Sequence, residues 1–265
     1  MRQHSCLYIS ELPRCMEVGI FSYNVYGLPF MPDSCSLPLA EWFKDVNYDI
    51  ICLQEVFMKG RIDILTKGLQ ENGYSVFKPD DNSNTHLLGS GLLTGIKKTK
   101  WLIVNQKFIS YNKSVGAEYI ANKGFHIIEI LNKSTNTPLL IINTHMQSDN
   151  PTTYFGGCMD TRPIRRDQTQ QIYDFLKTYK HIRHLIIGDL NSNLEAHEDI
   201  RYLTGMVNGI MKNTFPSTGE DLDHVAIMPH FWLKIIKPIV KYVAVLTKLK
   251  WSDHWPISVN LLLGI

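Results

Sequence analysis

Short apolar runs, each ending in a few polar residues, recur along the chain. Val18 to Tyr23 runs into Asn24, Ile50 to Leu53 into Gln54-Glu55, Leu139 to Ile142 into Asn143-Thr144-His145, and Leu185 to Ile187 into Gly188-Asp189-Leu190-Asn191. Runs this short and this rich in Ile and Leu predict buried strands rather than helices. Phe125 to Leu131, the polar turn Asn132 to Thr137 and the return Leu139 to Ile142 predict a hairpin. Further strands are expected at Gly89 to Thr94 and Trp101 to Val104, with Asn82 to Thr85 as a polar loop before them. Tyr242 to Leu246 reads as a core strand and Ile257 to Leu263 as the closing one. Helical patterns fall between these runs, at Pro38 to Val46, Gly60 to Asn72 and Arg165 to Tyr179, where Ile164, Ile172, Phe175 and Leu176 fall near helical spacing. Size leaves one large α/β domain or one two-layer β domain open. Polar groups gathered at strand ends are how a sheet builds a site, and four strands here are expected to aim at one place.

Length and composition narrow the class without naming a function. A chain of 265 residues can bury a large core, and no repeat, low-complexity linker or compositional shift divides it, so one domain over 1–265 is expected. A hydrophobic share of 44% with 20% charged residues excludes disordered and fibrous classes. The net charge of +2 demands no polyanionic partner, although a local basic surface stays open. Cys6, Cys15, Cys35, Cys52 and Cys158 are odd in number and lack CxxC spacing, which signals neither a zinc site nor a disulfide framework. Reduced thiols and an intracellular location are expected. Met1 to Cys15 holds only the brief apolar patch Leu7-Tyr8-Ile9, too short for a secretory signal. No stretch reaches the roughly 18 apolar residues of a membrane helix, so a soluble protein with at most peripheral membrane contact is expected.

The strand-end residues carry the chemistry. Glu55 alone has the ordinary reading of a surface or capping residue, Asp189 and Asn191 that of an Asx turn, Asp253-His254 that of a satisfied turn, and His145 that of a hydrogen-bonded core histidine. Together they meet the demands of phosphodiester hydrolysis. Such a reaction needs a hard cation at the non-bridging oxygens, a base near the working pH, and donors to the transition state. Carboxylates and amides select Mg²⁺, with Mn²⁺ as the alternative, whereas zinc would call for more His or Cys.

Ser-Tyr-Asn24-Val, Leu-Gln-Glu55-Val, Asn-Thr-His145, Gly-Asp189-Leu-Asn191, Leu-Asp223-His and Ser-Asp253-His254 occur in the order seen in the endonuclease/exonuclease/phosphatase superfamily, which the chain resembles from about Gly19 to Leu263. The resemblance implies a DNase I-like, four-layer α/β sandwich of two packed mixed β-sheets flanked by helices, with the site at one end of the sheets. It implies Glu55 as principal metal ligand with Asn24 and Asp253 beside the metal. Asp189 and Asn191 would orient water and bind a phosphate oxygen, His254 would be the general base steadied by Asp223, and His145 would donate to the transition state.

Within the superfamily, Asn24-Val-Tyr-Gly-Leu-Pro29, Gly89-Ser-Gly-Leu-Leu-Thr and Lys123-Gly-Phe-His-Ile-Ile-Glu129 resemble neutral sphingomyelinases. A chain turn at Gly27-Leu28-Pro29 and a hairpin entry at Lys123-Gly124 are the plain structural readings. Asn143-Thr144-His145 disfavours the abasic-site endonucleases, and the signatures of inositol-phosphate phosphatases are not found. DNase-like and DNA-repair branches, and a non-catalytic binding member, remain as alternatives to a sphingomyelinase-like phosphodiesterase. The expected partners are accordingly a lipid headgroup or a nucleic acid, with no obligate protein partner.

Two stretches are candidates for substrate contact. Tyr154 to Arg166 joins Gly156-Gly157 to Arg162, Arg165 and Arg166, whose guanidinium forks suit phosphate. Arg166, with Gln168 and Gln171, also sits where the superfamily carries an Arg-x-x-Gln helix behind the site, and Arg166 and Lys123 are the substrate-binding candidates. Phe231 to Lys237, basic and aromatic and ended by Pro238, suits an anionic bilayer or a nucleic-acid backbone.

Overall fold

Strands that are apolar at every position must be covered on both faces, and alternation divides their side chains between two layers. In β2 (Ile50–Gln54), Ile50 and Cys52 enter one core while Ile51 and Leu53 enter another. In β7 (Pro138–His145), Leu139 and Ile141 share the first core with β2, and Leu140 and Ile142 face a third. The computed structural model describes residues 15–81, 86–149, 160–179, 181–192, 213–228 and 239–264. The expected loop Asn82 to Thr85, residues 154–159 of the Tyr154 to Arg166 stretch and Phe231 to Lys237 lie outside them.

Two mixed sheets result. The first joins β1 (Cys15–Asn24), β2, β3 (Tyr74–Phe77), β4 (Leu93–Lys97), β10 (Ile239–Val245) and β11 (Ile257–Gly264) in the order β10-β11-β1-β2-β4-β3. The second joins β5 (Trp101–Ser110), β6 (Gly124–Asn132), β7, β8 (Arg183–Asp189) and β9 (Asp223–Met228) in chain order. Each sheet has a parallel pair at its centre, β1 with β2 and β7 with β8, and antiparallel neighbours outside. The sheets pack face to face through Val18, Ile20, Ile128, Ile141, Leu185 and Val259. Helices α1 (Ser36–Trp42) and α2 (Lys59–Glu71) cover the outer face of the first sheet with Leu39, Leu65 and Leu69. Helix α3 (Arg162–Leu176) covers the second with Ile172 and Leu176. This is the expected four-layer α/β sandwich. Each Leu or Ile so buried contributes about 1.5–3 kcal/mol relative to an exposed one.

A polar bridge crosses the otherwise apolar space between the sheets. Gln54 Nε2 donates to Asn143 Oδ1 at 2.8 Å, and Asn143 Nδ2 lies within hydrogen-bonding distance of Leu53 O, Leu93 O and Thr94 Oγ1. Both amides are fully buried.

Several elements depart from the sequence expectation. Residues 89–92 form a loop, with Gly91 at φ +71°, and the strand starts only at Leu93. β5 runs on through polar Asn105-Gln106-Lys107 because it is a sheet edge with one face in solvent. β10 is likewise an edge strand, half-buried to exposed, and not a core strand. α3 begins at Arg162 and ends at Leu176, where a 3₁₀ turn over Lys177–Tyr179 takes over. β3 and β9 were not legible as strands. Cys35 and Cys52 are buried thiols without a disulfide, as expected. No helix among the described residues is long and apolar enough to cross a membrane.

Candidate active site

Parallel pairing sets two strand ends side by side in each sheet. β1 ends at Asn24, level with Gln54 of β2, so Glu55 follows at the same height. β7 and β8 end in register, His145 beside Asp189, and Asp189 faces Asp223 at the start of β9. The loop before β11 brings Asp253 and His254, and Ser252 Oγ lies 2.7 Å from Asn24 O, which fastens that loop to the end of β1. Glu55 leaves β2 with φ +60° and Asn191 leaves β8 with φ +49°, sparsely populated conformations that turn the chain sharply at both strand ends. Gly27 lets the chain pass close by: a Cβ there would stand 2.1 Å from Glu55 O.

Asn24 joins the two sheets at the site, its Nδ2 donating to Glu55 Oε1 at 3.0 Å and to Asp189 Oδ2 at 2.9 Å. Its Oδ1 accepts the Tyr26 N–H. Glu55 Oε2 is buried and has no hydrogen-bond partner. Burial pushes the Glu55 carboxyl up to about 7 and the Asp189 carboxyl up to about 6. A buried carboxylate oxygen without a donor, beside a second reluctant carboxylate, is the vacancy in hydrogen bonding that a hard cation satisfies, so the residues fit a divalent ion.

Asp223 Oδ2 lies 2.8 Å from His254 Nδ1, and His254 Nε2 lies 3.6 Å from Asp189 Oδ2. Burial alone would lower the His254 imidazole, but Asp223 and then Asp189 outweigh it and hold the group up at about 10. Ligand-type atoms of Asp189, Asp223 and His254 lie within 4.8 Å of one another; the two carboxylates grip an imidazolium there. The ring of Phe215 packs on His254 at 4.9 Å between centroids. Thr214 Oγ1 accepts the N–H groups of Leu222 and Asp223, which ties this aromatic lid to the dyad.

His145 is different. Burial, aided by Lys123 and His254, pushes its imidazole well below the usual range, so it is neutral. Its Nε2 is 3.7 Å from Asp189 Oδ2, 3.9 Å from Glu55 Oε1 and 3.3 Å from Lys123 Nζ. The Lys123 ammonium is buried and also donates to Glu118 Oε1 and to Met146 O, both at 2.7 Å. Met146 O accepts from Asn191 Nδ2 as well, at 3.0 Å.

Glu55, His145, Asp189, Asn191, Asp253, His254 and Lys123 all line one cleft of about 990 Å³. Asn24 and Asp223 stand behind it, bonded to its floor. Arg166 is not brought to the cleft: it is exposed on α3. Helix phase explains this, since Arg165, Gln168, Thr169 and Ile172 form the buried face and Arg166 is turned about 100° from it. Arg165 takes the inward place, donating to Gln147 O at 3.0 Å and pairing with Asp149 at 2.6 Å, while Gln168 Oε1 accepts the Gln147 N–H. Sequence reasoning missed Phe215, Glu118 and the Met146 carbonyl, none of which carries a local signal.

The Endonuclease/Exonuclease/phosphatase family model matches residues 21–254. The chain is 25% identical to sphingomyelinase C of Listeria ivanovii, over 91% of this chain and 83% of that one. It is 26% identical to sphingomyelinase C of Bacillus cereus, over 84% and 79%. In fold it is similar to the beta toxin of Staphylococcus aureus in a structure with bound magnesium ions, with a TM-score of 0.72 at 20% identity over 92% of this chain and 99% of that one. The strand order and a family match over residues 21–254 place the chain in the Endonuclease/Exonuclease/phosphatase family, as a hydrolase of phosphoric ester bonds.

Proposed function

We propose that the protein is a divalent-cation-assisted phosphodiesterase that hydrolyses a sphingomyelin-type lipid and releases its phosphorylated headgroup. The observation that carries this reading is the make-up of the cleft. Its floor is rich in anionic and amide oxygens, one wall is apolar with Leu28, Phe57, Met58 and Leu88, and Lys123 is the only Lys or Arg among the described residues that line it. A nucleic-acid track would present cations along the backbone path, whereas a lipid phosphodiester needs an oxygen-rich floor for its phosphate and an apolar side for its leaving group. The sphingomyelinase C relatives support the same substrate class.

Glu55 would hold the ion, with Asp253 and Asn24 beside it, and the all-oxygen donor set suits Mg²⁺ before Mn²⁺. When bound, the ion would polarise the phosphoryl group and offset its charge. The protein's own groups do the rest. Asp189 and Asn191 place the attacking water, and neutral His254 takes its proton at Nε2 while Asp223 fixes the ring through Nδ1. Asp189 would share its charge with a bound ion and so hold the His254 imidazolium less tightly, which would bring His254 down toward the working range. His145, kept neutral by burial and by the Lys123 charge, would donate to the phosphoryl oxygen from Nε2 once Lys123 gives up its contact with that atom.

The test is phosphocholine release from sphingomyelin vesicles beside nicking of plasmid DNA, each with Mg²⁺ and with chelator, with His254→Ala as the blank. Chelator-sensitive phosphocholine release that is lost in His254→Ala is expected. Cleavage of DNA alone would overturn the lipid substrate and keep the hydrolytic chemistry.

A further inference from the structure

Exposed apolar side chains gather on one side of the cleft mouth. Phe30 is 103% exposed and Leu87 87% exposed, and Met31, Met58, Tyr119 and Ile120 are exposed with them. Phe30, Met58, Leu87 and Ile120 line the cleft, and Met31 and Tyr119 are chain neighbours of two of these. They come from two pairs of segments, and within each pair hydrogen bonds fasten one segment to the other. Arg61 donates to Tyr26 O and Met31 O, which fixes the turn carrying Phe30. Leu88 N–H donates to Ile120 O and Asn122 N–H to Leu88 O, which joins the Leu87 segment to the 3₁₀ helix Gly116–Ile120. Phe30 itself sits at φ +69°, a conformation costly for a residue with a side chain. The fold thus holds an aromatic ring in water, in a strained position, at the lip of its cleft.

We propose that this crest is the surface by which the protein lies on a lipid bilayer, with Phe30 and Leu87 entering the interfacial layer and the cleft mouth facing the lipid. The inference rests on the lipid reading of the cleft and adds where and how the protein meets its substrate. The crest is continuous with the apolar wall that leads down to Glu55 and His145. A protein seated on Phe30 and Leu87 would close the cleft those residues line, whereas a bilayer delivers substrate there. Apolar side chains at the tips of fixed loops gain by leaving water for the headgroup boundary without any ordering of the chain.

Phe30→Ser combined with Leu87→Ser tests the crest, because both side chains are exposed and their loss leaves no cavity. Association with sphingomyelin and phosphatidylcholine vesicles is measured by co-sedimentation in chelator, where the lipid stays intact. Turnover with Mg²⁺ is measured on the same vesicles and on a water-soluble short-chain sphingomyelin below its micelle concentration. Association should weaken by about tenfold or more, and vesicle kcat/KM should fall at least tenfold further than kcat/KM on the soluble ester. Phe30→Trp should retain vesicle binding. If wild-type protein hydrolyses sphingomyelin but the double variant binds and hydrolyses vesicles as well as wild type does, the crest proposal is overturned alone. If wild-type protein hydrolyses neither substrate, the lipid reading of the cleft falls and the crest proposal with it.

Discussion

Glu55 offers a test in which removing a charge raises stability. Its carboxyl is buried, its Oε2 has no donor, and burial raises it from the usual 4.5 to about 7. A group whose folded pKa is raised adds stability while protonated, below about 4.5, and that stability is lost as pH rises through about 7. The rise spans about 2.5 pH units, which at about 1.4 kcal/mol each makes ionised Glu55 cost the cation-free fold about 3 kcal/mol at pH 8. Asp189, raised to about 6 by burial, adds to the loss in the same direction. Glu55→Gln keeps the shape and an oxygen for Asn24 and has nothing to ionise. Without cation, the variant should match wild type near pH 4.5 and exceed it by about 3 kcal/mol at pH 8, or of the order of 5–10 °C in Tm. With Mg²⁺ the order should reverse, because wild type gains from the ion and the variant gains little. Calorimetric or fluorescence melts at both pH values, with chelator and across a Mg²⁺ titration, read both effects. A variant that is less stable than wild type at pH 8 in chelator, or that keeps the wild-type Mg²⁺ midpoint, would refute the assignment of Glu55 as the cation's seat.

Asp223→Asn removes the charge 2.8 Å from His254 Nδ1 while keeping its size. kcat should fall by on the order of 10³-fold or more with KM little changed, and the His254 titration followed by NMR should move down from about 10 in the cation-free protein. An unchanged titration would remove Asp223 from the dyad. Gly188→Ala places a Cβ 2.0 Å from Thr144 O at φ +141°, where β7 and β8 carry His145 and Asp189. It should cost more than about 2 kcal/mol in urea unfolding, and a cost under half that would show that the strand pair can yield.

The site was legible because its residues follow apolar runs. A carboxylate or imidazole after four buried positions stands out, and Glu55, His145, Asp189 and Asn191 all came to one floor for that reason. Asp223 had no such run before it and was visible only through the family pattern. Arg165 and Arg166 are adjacent, and which faces inward depends on the phase of a helix that starts three residues before the predicted boundary. Phe215 touches His254 across a distance in sequence that no local pattern bridges. The edge character of β10 was hidden because its apolar positions resemble those of a core strand, and only the sheet order shows that no strand among the described residues pairs beyond it. The crest at Phe30 and Leu87 was invisible for a related reason: exposure is a property of the fold.

The bridge between Gln54 and Asn143 bears on how such a site keeps its accuracy. Glu55, Asn24, Asp253 and His254 ride on the first sheet, and His145, Asp189, Asn191 and Asp223 ride on the second. Apolar sheet faces resist separation far better than they resist sliding, since one Ile contact replaces another at little cost. Directional amide bonds do not exchange in that way. A slide of ~1 Å between the layers would break the Gln54–Asn143 contact and pull Asp189 from Asn24, and misplacement of that size can cost a reaction about 10²-fold. Replacing the two amides by Leu and Met would therefore leave a stable sandwich whose halves no longer agree on where the reaction is to happen.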